Sequence, residues 1–142
     1  MNDRYLYRAK RTDNGEWEIG SLIYLPNGEY EIANKCTNPP DSDPMWKKCV
    51  ITHKVDPSTI CQCTGLMGKN GKLIWENDIM VAHFDDSFPE DATYTRVVWD
   101  NNGFCTKEQG SEDISPLDKF DQEHFEVCGN IFDNMELLEV RE

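Results

Sequence analysis

The chain has 142 residues, enough for one domain or for two small β modules sharing a core. It carries 27 acidic against 14 basic side chains, net −13, and the imbalance is confined to one half: residues 1–71 hold nine of each sign, whereas residues 72–142 hold 18 acidic and five basic. That sign argues against nucleic-acid binding through the second half without a metal or a local basic patch, because phosphate backbones want the opposite charge, and it predicts repulsion from anionic membrane surfaces.

Taken in chain order, the predicted elements are short strands separated by Asn-Gly turns. Asn-Gly between apolar alternations is a strong hairpin signal, since both residues tolerate positive φ. LYRAKR turns at Asn14-Gly15 into EWEIGSLIYL, which turns at Asn27-Gly28 into EYEIA. The segment NKCTNPPDSDPM breaks the pattern with three prolines, and KKCVITHKV resumes it. Asp56-Pro57 marks a junction, dividing a module over 1–56 from one over 57–142. ICQCTGLM then pairs with KLIWENDIMVAHF across Lys69-Asn70-Gly71, and an acidic loop follows at 85–93. TYTRVVWD pairs with FCTKE across Asn101-Asn102-Gly103. A short helix is expected over 115–122, with Ser115 as N-cap, Pro116 at its first position, and Leu117 and Phe120 facing inward. FEVCGNIF is the last strand, and Asn134 is expected to cap a closing helical turn. Little helix and many short strands point to a mainly β protein: a small antiparallel N-terminal sheet followed by a small β-barrel, with one or two short helical turns.

No run reaches the roughly 18 apolar residues of a membrane span, and MNDRYLYRAKR has no apolar leader core. A cytoplasmic protein of a bacterial cell, away from membranes, is expected. Cys36, Cys49, Cys61, Cys63, Cys105 and Cys128 contain no C-x-x-C pair, so they are read as reduced thiols acting as small hydrophobes, with no metal. Cys61 and Cys63, two apart on a strand, share a face.

Four ordered motifs carry a resemblance that runs nearly end to end. Arg8, Lys10 and Arg11 precede Asp13-Asn14-Gly15-Glu16-Trp17; Pro57-Ser58-Thr59-Ile60-Cys61-Gln62-Cys63-Thr64-Gly65-Leu66 leads into Gly68-Lys69-Asn70-Gly71-Lys72-Leu73-Ile74-Trp75-Glu76-Asn77-Asp78-Ile79; and Gly129-Asn130-Ile131-Phe132-Asp133-Asn134-Met135-Glu136-Leu137-Leu138 comes near the end. In these the chain resembles the YopX family, small proteins encoded mainly by bacteriophages and prophages. The resemblance implies an SH3-like barrel in the second module and no assigned biochemical activity. Three positions depart from the family pattern. Asn77 stands for a glycine and tolerates the same left-handed backbone, Cys63 replaces an aromatic, and Met135 replaces a proline after the Asn cap.

Candidate site residues are weighed against plainer roles. Glu76 and Asp78 are two apart on a predicted strand, the spacing of a metal or acid–base pair; their place after Trp75 favours a strand end, with the Asp78 carboxylate capping a bend. His53, His83 and His124 are unclustered, and Ser58 and Ser115 lie in turn and cap contexts without a nucleophile motif. Neither a catalytic set nor a cofactor-binding loop is read, and the protein is expected not to be an enzyme. Trp75 and Trp99 read as core or rim residues, and Trp46 in the Pro-rich loop reads as a rigid partner anchor. Acidic clusters occur at Asp85, Asp86, Glu90 and Asp91, and at Glu112, Asp113, Asp118, Asp121 and Glu123. The partner-binding residues are therefore taken as Trp46, Glu76, Asp78, Asp85 and Asp86. The expected function is that of an accessory protein acting through protein contacts as a homo-oligomer. The alternatives are an acidic decoy on a host or phage protein with a basic surface, or a weak nucleic-acid-binding barrel resting only on Arg4, Arg8, Lys10 and Arg11.

Overall fold

The computed structural model describes residues 3–35, 50–84 and 91–139. Its strands are antiparallel throughout and fall in two compact units, Tyr5–Gln62 and Cys63–Glu142 with Met1–Arg4. Trp46, Asp85 and Asp86 lie outside the described residues, as do Cys36 and Cys49.

The first unit is a meander. Strands β1 (Tyr7–Lys10), β2 (Trp17–Tyr24), β3 (Tyr30–Lys35) and β4 (Val50–Val55) pair in sequence order, as the Asn-Gly turns predict. The first two residues of β5 (Cys61–Met67) pair with the other side of β1, Tyr7 opposite Gln62 and Arg8 opposite Cys61. Alternation puts Ala9, Ile32 and Val55 on one face, where they are buried against Leu22, Tyr30 and Ile60. Asp56 accepts from the Ser58 amide at 3.0 Å and so caps the 3-10 turn Pro57–Thr59, whose Thr59 hydroxyl accepts the Lys10 amide at 2.8 Å. The Asp-Pro junction is thus a turn tied back to the sheet.

The second unit begins as β5 continues and pairs with β6 (Leu73–Trp75). A bulge between Cys63 and Met67 shifts this ladder, and Gly65 occupies it at φ 81°. The connecting turn holds Gly71 at φ 77°. Its tip docks on the chain entering the last strand: the Lys69 amide donates to Phe125 O at 2.8 Å and Asn70 Nδ2 to Val127 O at 3.2 Å. The stretch after Gly71 forms two strands. Glu76 and Asn77 form a tight turn, Asn77 at φ 71°, between β6 and β7 (Asp78–Ala82). Asn at the left-handed position fulfils the role that its tolerance predicts.

The main sheet of this unit has the order β10-β9-β8-β7-β11, with β8 at Thr93–Asp100, β9 at Gly103–Glu108, β10 at Ile114–Pro116 and β11 at Glu126–Asn130. Among the described residues its ladders do not join β10 to β11. The register sets one face: Met80 opposite Thr95, Ala82 opposite Thr93, Val97 opposite Thr106, Thr95 opposite Glu108, Ser115 opposite Thr106. At one end that face is core, with Ile74, Met80, Ala82, Val97 and Phe125 buried against Leu66, Phe104, Leu117 and Val127.

The helix is displaced from its expected span. Ile114-Ser115-Pro116 is the edge strand β10, a place where proline is tolerated because its nitrogen faces away from the ladder. Helix α1 runs Lys119–His124 with Asp118 as N-cap, in a capping box: Asp118 Oδ1 accepts the Asp121 amide at 3.1 Å and Asp121 Oδ2 accepts the Asp118 amide at 3.0 Å. Leu117 packs on the core as expected, whereas Phe120 is 52% exposed. Asn134 also departs from expectation. Its side chain makes no bond forward into the 3-10 turn Met135–Leu138 and instead accepts the Asn130 amide at 3.1 Å. Asn130 Oδ1 in turn accepts the amides of Phe132 and Asp133 at 2.9 and 3.0 Å, so the Gly-Asn-Ile motif is a side-chain-stapled turn.

A test follows from the β5–β6 turn. A Cβ on Gly71 meets no atom within 4 Å, so Gly71→Val reports backbone strain alone. We expect a loss of about 1–3 kcal/mol, read by chemical denaturation, because a β-branched residue is placed at positive φ.

Candidate functional site

Glu76 and Asp78 take the strand-end and bend-cap places read from the sequence. Glu76 is in the tight turn, and Asp78 is 1% exposed with Oδ2 accepting the Trp75 amide at 2.8 Å. The carboxylate closes the turn in the manner of a bend cap, and Trp75, 6% exposed, is core as the strand pattern predicts. Trp99 is at the rim, half-exposed and edge-on to Phe104.

Three of the four described cysteines follow the buried, apolar reading: Cys61, Cys63 and Cys105 are buried free thiols, the first two on one face of β5. Cys128 departs from it, exposed at the bulge between Val127 and Gly129, where its Sγ donates to Ile79 O at 3.4 Å. Partial burial pushes its thiol pKa up, and the charge of Asp78 adds to that.

The site that the fold does build is a groove of about 660 Å³ in the second unit. Beyond the core end, the inward face of β8, β9 and β10 turns polar: Thr93, Thr95, Thr106 and Ser115 form a hydroxyl floor. Thr106 Oγ1 donates to Ser115 O at 3.4 Å. Helix α1 stands over this floor and contributes Asp118, Phe120 and Asp121 to the lining, while Glu108, Asp113 and Phe84 complete the walls. The Phe84 and Phe120 rings are near-parallel, 16° apart with centroids at 6.0 Å; Phe125 meets Phe84 edge-on at 5.8 Å, and His124 backs Phe120 at 4.2 Å. Phe84 and Phe120 are each about half exposed.

The charge on this groove is one-sided. Among the described lining residues there are four carboxylates and no Lys, Arg or His. Glu112 and Glu123 just outside it are paired with Lys107 and Lys119, at 3.4 and 3.8 Å. Glu108, Asp113 and Asp118 make no ion pair among the described residues. Asp121 is 9% exposed; burial raises its carboxyl pKa, the Asp118 amide hydrogen bond opposes the shift, and the Asp118 charge reinforces it.

Of the residues singled out in the sequence, the second acidic cluster supplies Asp113, Asp118 and Asp121 to this groove. The hydroxyl floor and the phenyl wall went unread. Period-two alternation of Thr93 and Thr95 was the available signal, and it lacked the cross-strand register that gives it meaning.

These features define an all-β protein with a hydroxyl-floored acidic groove, and comparison with known proteins places it more closely. The model of the YopX protein family matches residues 6–139, and the chain belongs to that family. Among solved structures it is similar to the protein EF1440 from Enterococcus faecalis, with a TM-score of 0.55 at 20% identity, covering 94% of this chain and 96% of that one. That likeness shows the fold alone. No curated protein sequence matches the chain.

Two predictions follow the geometry. Asp78→Ala strips the Trp75 amide of its buried acceptor and should cost about 1–3 kcal/mol in denaturant melts. For Asp121 the folded pKa lies above the unfolded value, near 3.8. Its ionised form is therefore a burden on the fold at neutral pH. That burden lifts as pH falls through the folded pKa toward the unfolded one. Asp121→Asn keeps an acceptor oxygen for the Asp118 amide, so it should melt higher than wild type at pH 7, and wild type should close the gap on acidification.

Proposed function

We propose that the protein is a non-enzymatic accessory protein, of phage or prophage origin and working in the bacterial cytoplasm, that acts by receiving a positively charged segment of a partner protein in the groove of its second unit. The observation that carries this is the pairing pattern of the carboxylates: Glu112 and Glu123 have lysine partners, while Glu108, Asp113 and Asp118 line the groove without an ion pair among the described residues. Unneutralised like charges converging on a concavity raise the local potential and attract a counter-charge. Hydroxyls, carboxylates and phenyl rings suit recognition of a cationic chain, and their arrangement includes no nucleophile–base pair.

The first unit's cations support the same choice over nucleic acid. Arg8 and Lys10 lie over the Trp17 ring at 4.8 and 5.4 Å, and Arg11 pairs with Asp13 at 2.6 Å and Glu18 at 3.4 Å. Internal partners occupy the charges on which a nucleic-acid role would rest. The finer fold reading, an SH3-like barrel for the second unit, belongs to this proposal; five antiparallel strands with a core of Met80, Ala82 and Val97 on one face support it. A homo-oligomer is part of the reading too. The end of β4 near Val55 is bridged to Arg11, but among the described residues its start has no strand on the outer side, and Val50 and Ile51 there are 60% and 39% exposed, the sort of apolar edge that a second copy covers.

The experiment is a titration of a labelled peptide alternating Lys and Arg with Gly and Ser, followed by fluorescence anisotropy. We expect binding that weakens as salt is raised, and that falls roughly tenfold in Glu108→Gln/Asp113→Asn with the melting temperature held. Equal binding by that variant removes the groove from the proposal. Light scattering on the same samples reads the oligomer, and a strict monomer at high concentration removes that part.

A further inference from the structure

We propose that the groove selects arginine over lysine, so that its occupant is an arginine-bearing segment of a partner protein; this rests on the reading of the groove as a cation-receiving surface. Charge alone does not discriminate between the two side chains. The phenyl wall beside the carboxylates does. Phe84 and Phe120 line the groove, each about half exposed and near-parallel to one another, and neither is a loose rotor: Phe125 braces Phe84 edge-on and His124 stacks on one face of Phe120. His124 is itself held, its Nδ1 2.9 Å from Phe120 O. Aromatic surface of this extent, exposed beside unpaired carboxylates, is what a planar cation stacks on.

A guanidinium is planar and weakly hydrated, and it can lie on a phenyl face while its edge forks to a carboxylate. An ammonium is a compact, strongly hydrated point charge and gains little from the ring face. The groove presents both surfaces together, phenyl rings at 84 and 120 and carboxylates at 108, 113 and 118, over a floor of threonines that accept hydrogen bonds from the remaining N–H groups. Asp118 keeps its orientation under this load, because one of its oxygens is fixed by the Asp121 amide.

The test compares three labelled peptides of one sequence frame, carrying arginine, lysine or citrulline, titrated into the full chain near physiological ionic strength. Citrulline keeps the shape and planarity of arginine and removes the charge. The arginine peptide should bind about threefold to tenfold tighter than the lysine peptide, and the citrulline peptide should bind least. Phe120→Leu, which keeps apolar bulk but removes the ring, should bring the arginine-to-lysine ratio to about one by lowering arginine binding more than lysine binding. A ratio near one in the wild type, or a preference for lysine, overturns the inference and leaves the cation-receiving groove standing. A wild-type preference that persists in both Phe120→Leu and Phe84→Leu overturns it as well, since the rings then have no part in selection. Failure of every cationic peptide to bind overturns both readings together.

Discussion

The second unit depends on the tight turn at Glu76–Asn77. The Asp78 carboxylate, almost wholly buried, holds the Trp75 amide and closes that turn. Between them Asn77 takes the left-handed backbone, and its main chain is tied on both sides: its amide donates to Val97 O at 2.8 Å and its carbonyl accepts the Ile131 amide at 3.0 Å. The node therefore fixes β7 against β8 on one flank and the exit of β11 on the other. Without it β6 and β7 would run on as one strand, and Met80 and Ala82 would lose their register with Thr95 and Thr93. An ionisable group is tolerated there because an amide and a turn need an acceptor that no apolar residue can supply.

Register then decides where the site is. A sheet face that is apolar at Met80, Ala82 and Val97 becomes hydroxyl-bearing on the neighbouring strands, where Thr95 lies opposite Met80, Thr93 opposite Ala82 and Thr106 opposite Val97. The core and the groove are one surface read at two ends. Phe125 belongs to both, packed among the core residues and lining the groove, so the floor has a rigid apolar base. Helix α1, only six residues long, could not stand alone. Its capping box and the packing of Leu117 and Phe125 at its two ends hold it over the floor.

Local chemistry was legible in the sequence and long-range register was not. Asn14-Gly15, Asn27-Gly28 and Asn70-Gly71 announce hairpins because the turn residues carry their own backbone preference, and those strands stand where expected. Asp78 could be read as a bend cap from its place after an aromatic strand end. The strand end at Glu76-Asn77 was legible in the same way, marked by three consecutive polar residues after Trp75. The helix start went to Ser115-Pro116, a valid cap signal in isolation, since only the pairing of Ser115 with Thr106 shows those residues to be strand. Asp118 with Asp121 three residues later was the competing signal, and two reciprocal hydrogen bonds outrank one. The groove joins Thr95 to Glu108 and Ser115 to Thr106, contacts that no short window of sequence contains.

Charge counting gives a final constraint. The second half holds the whole of the net −13, yet its carboxylates are not equivalent. Some are neutralised by lysines, Asp78 is consumed by a turn, and those at the groove are left facing one another. Asp121 shows the consequence, its ionisation opposed first by burial and then by the Asp118 charge. A cation seated in the groove acts on that carboxylate in the opposite direction, favouring the ionised form that the empty fold disfavours. On the proposed reading, such a cation would link binding to folding through the same group and steady helix α1. A carboxylate free in water offers no such coupling, because its ionisation is neither opposed by burial nor relieved by a partner.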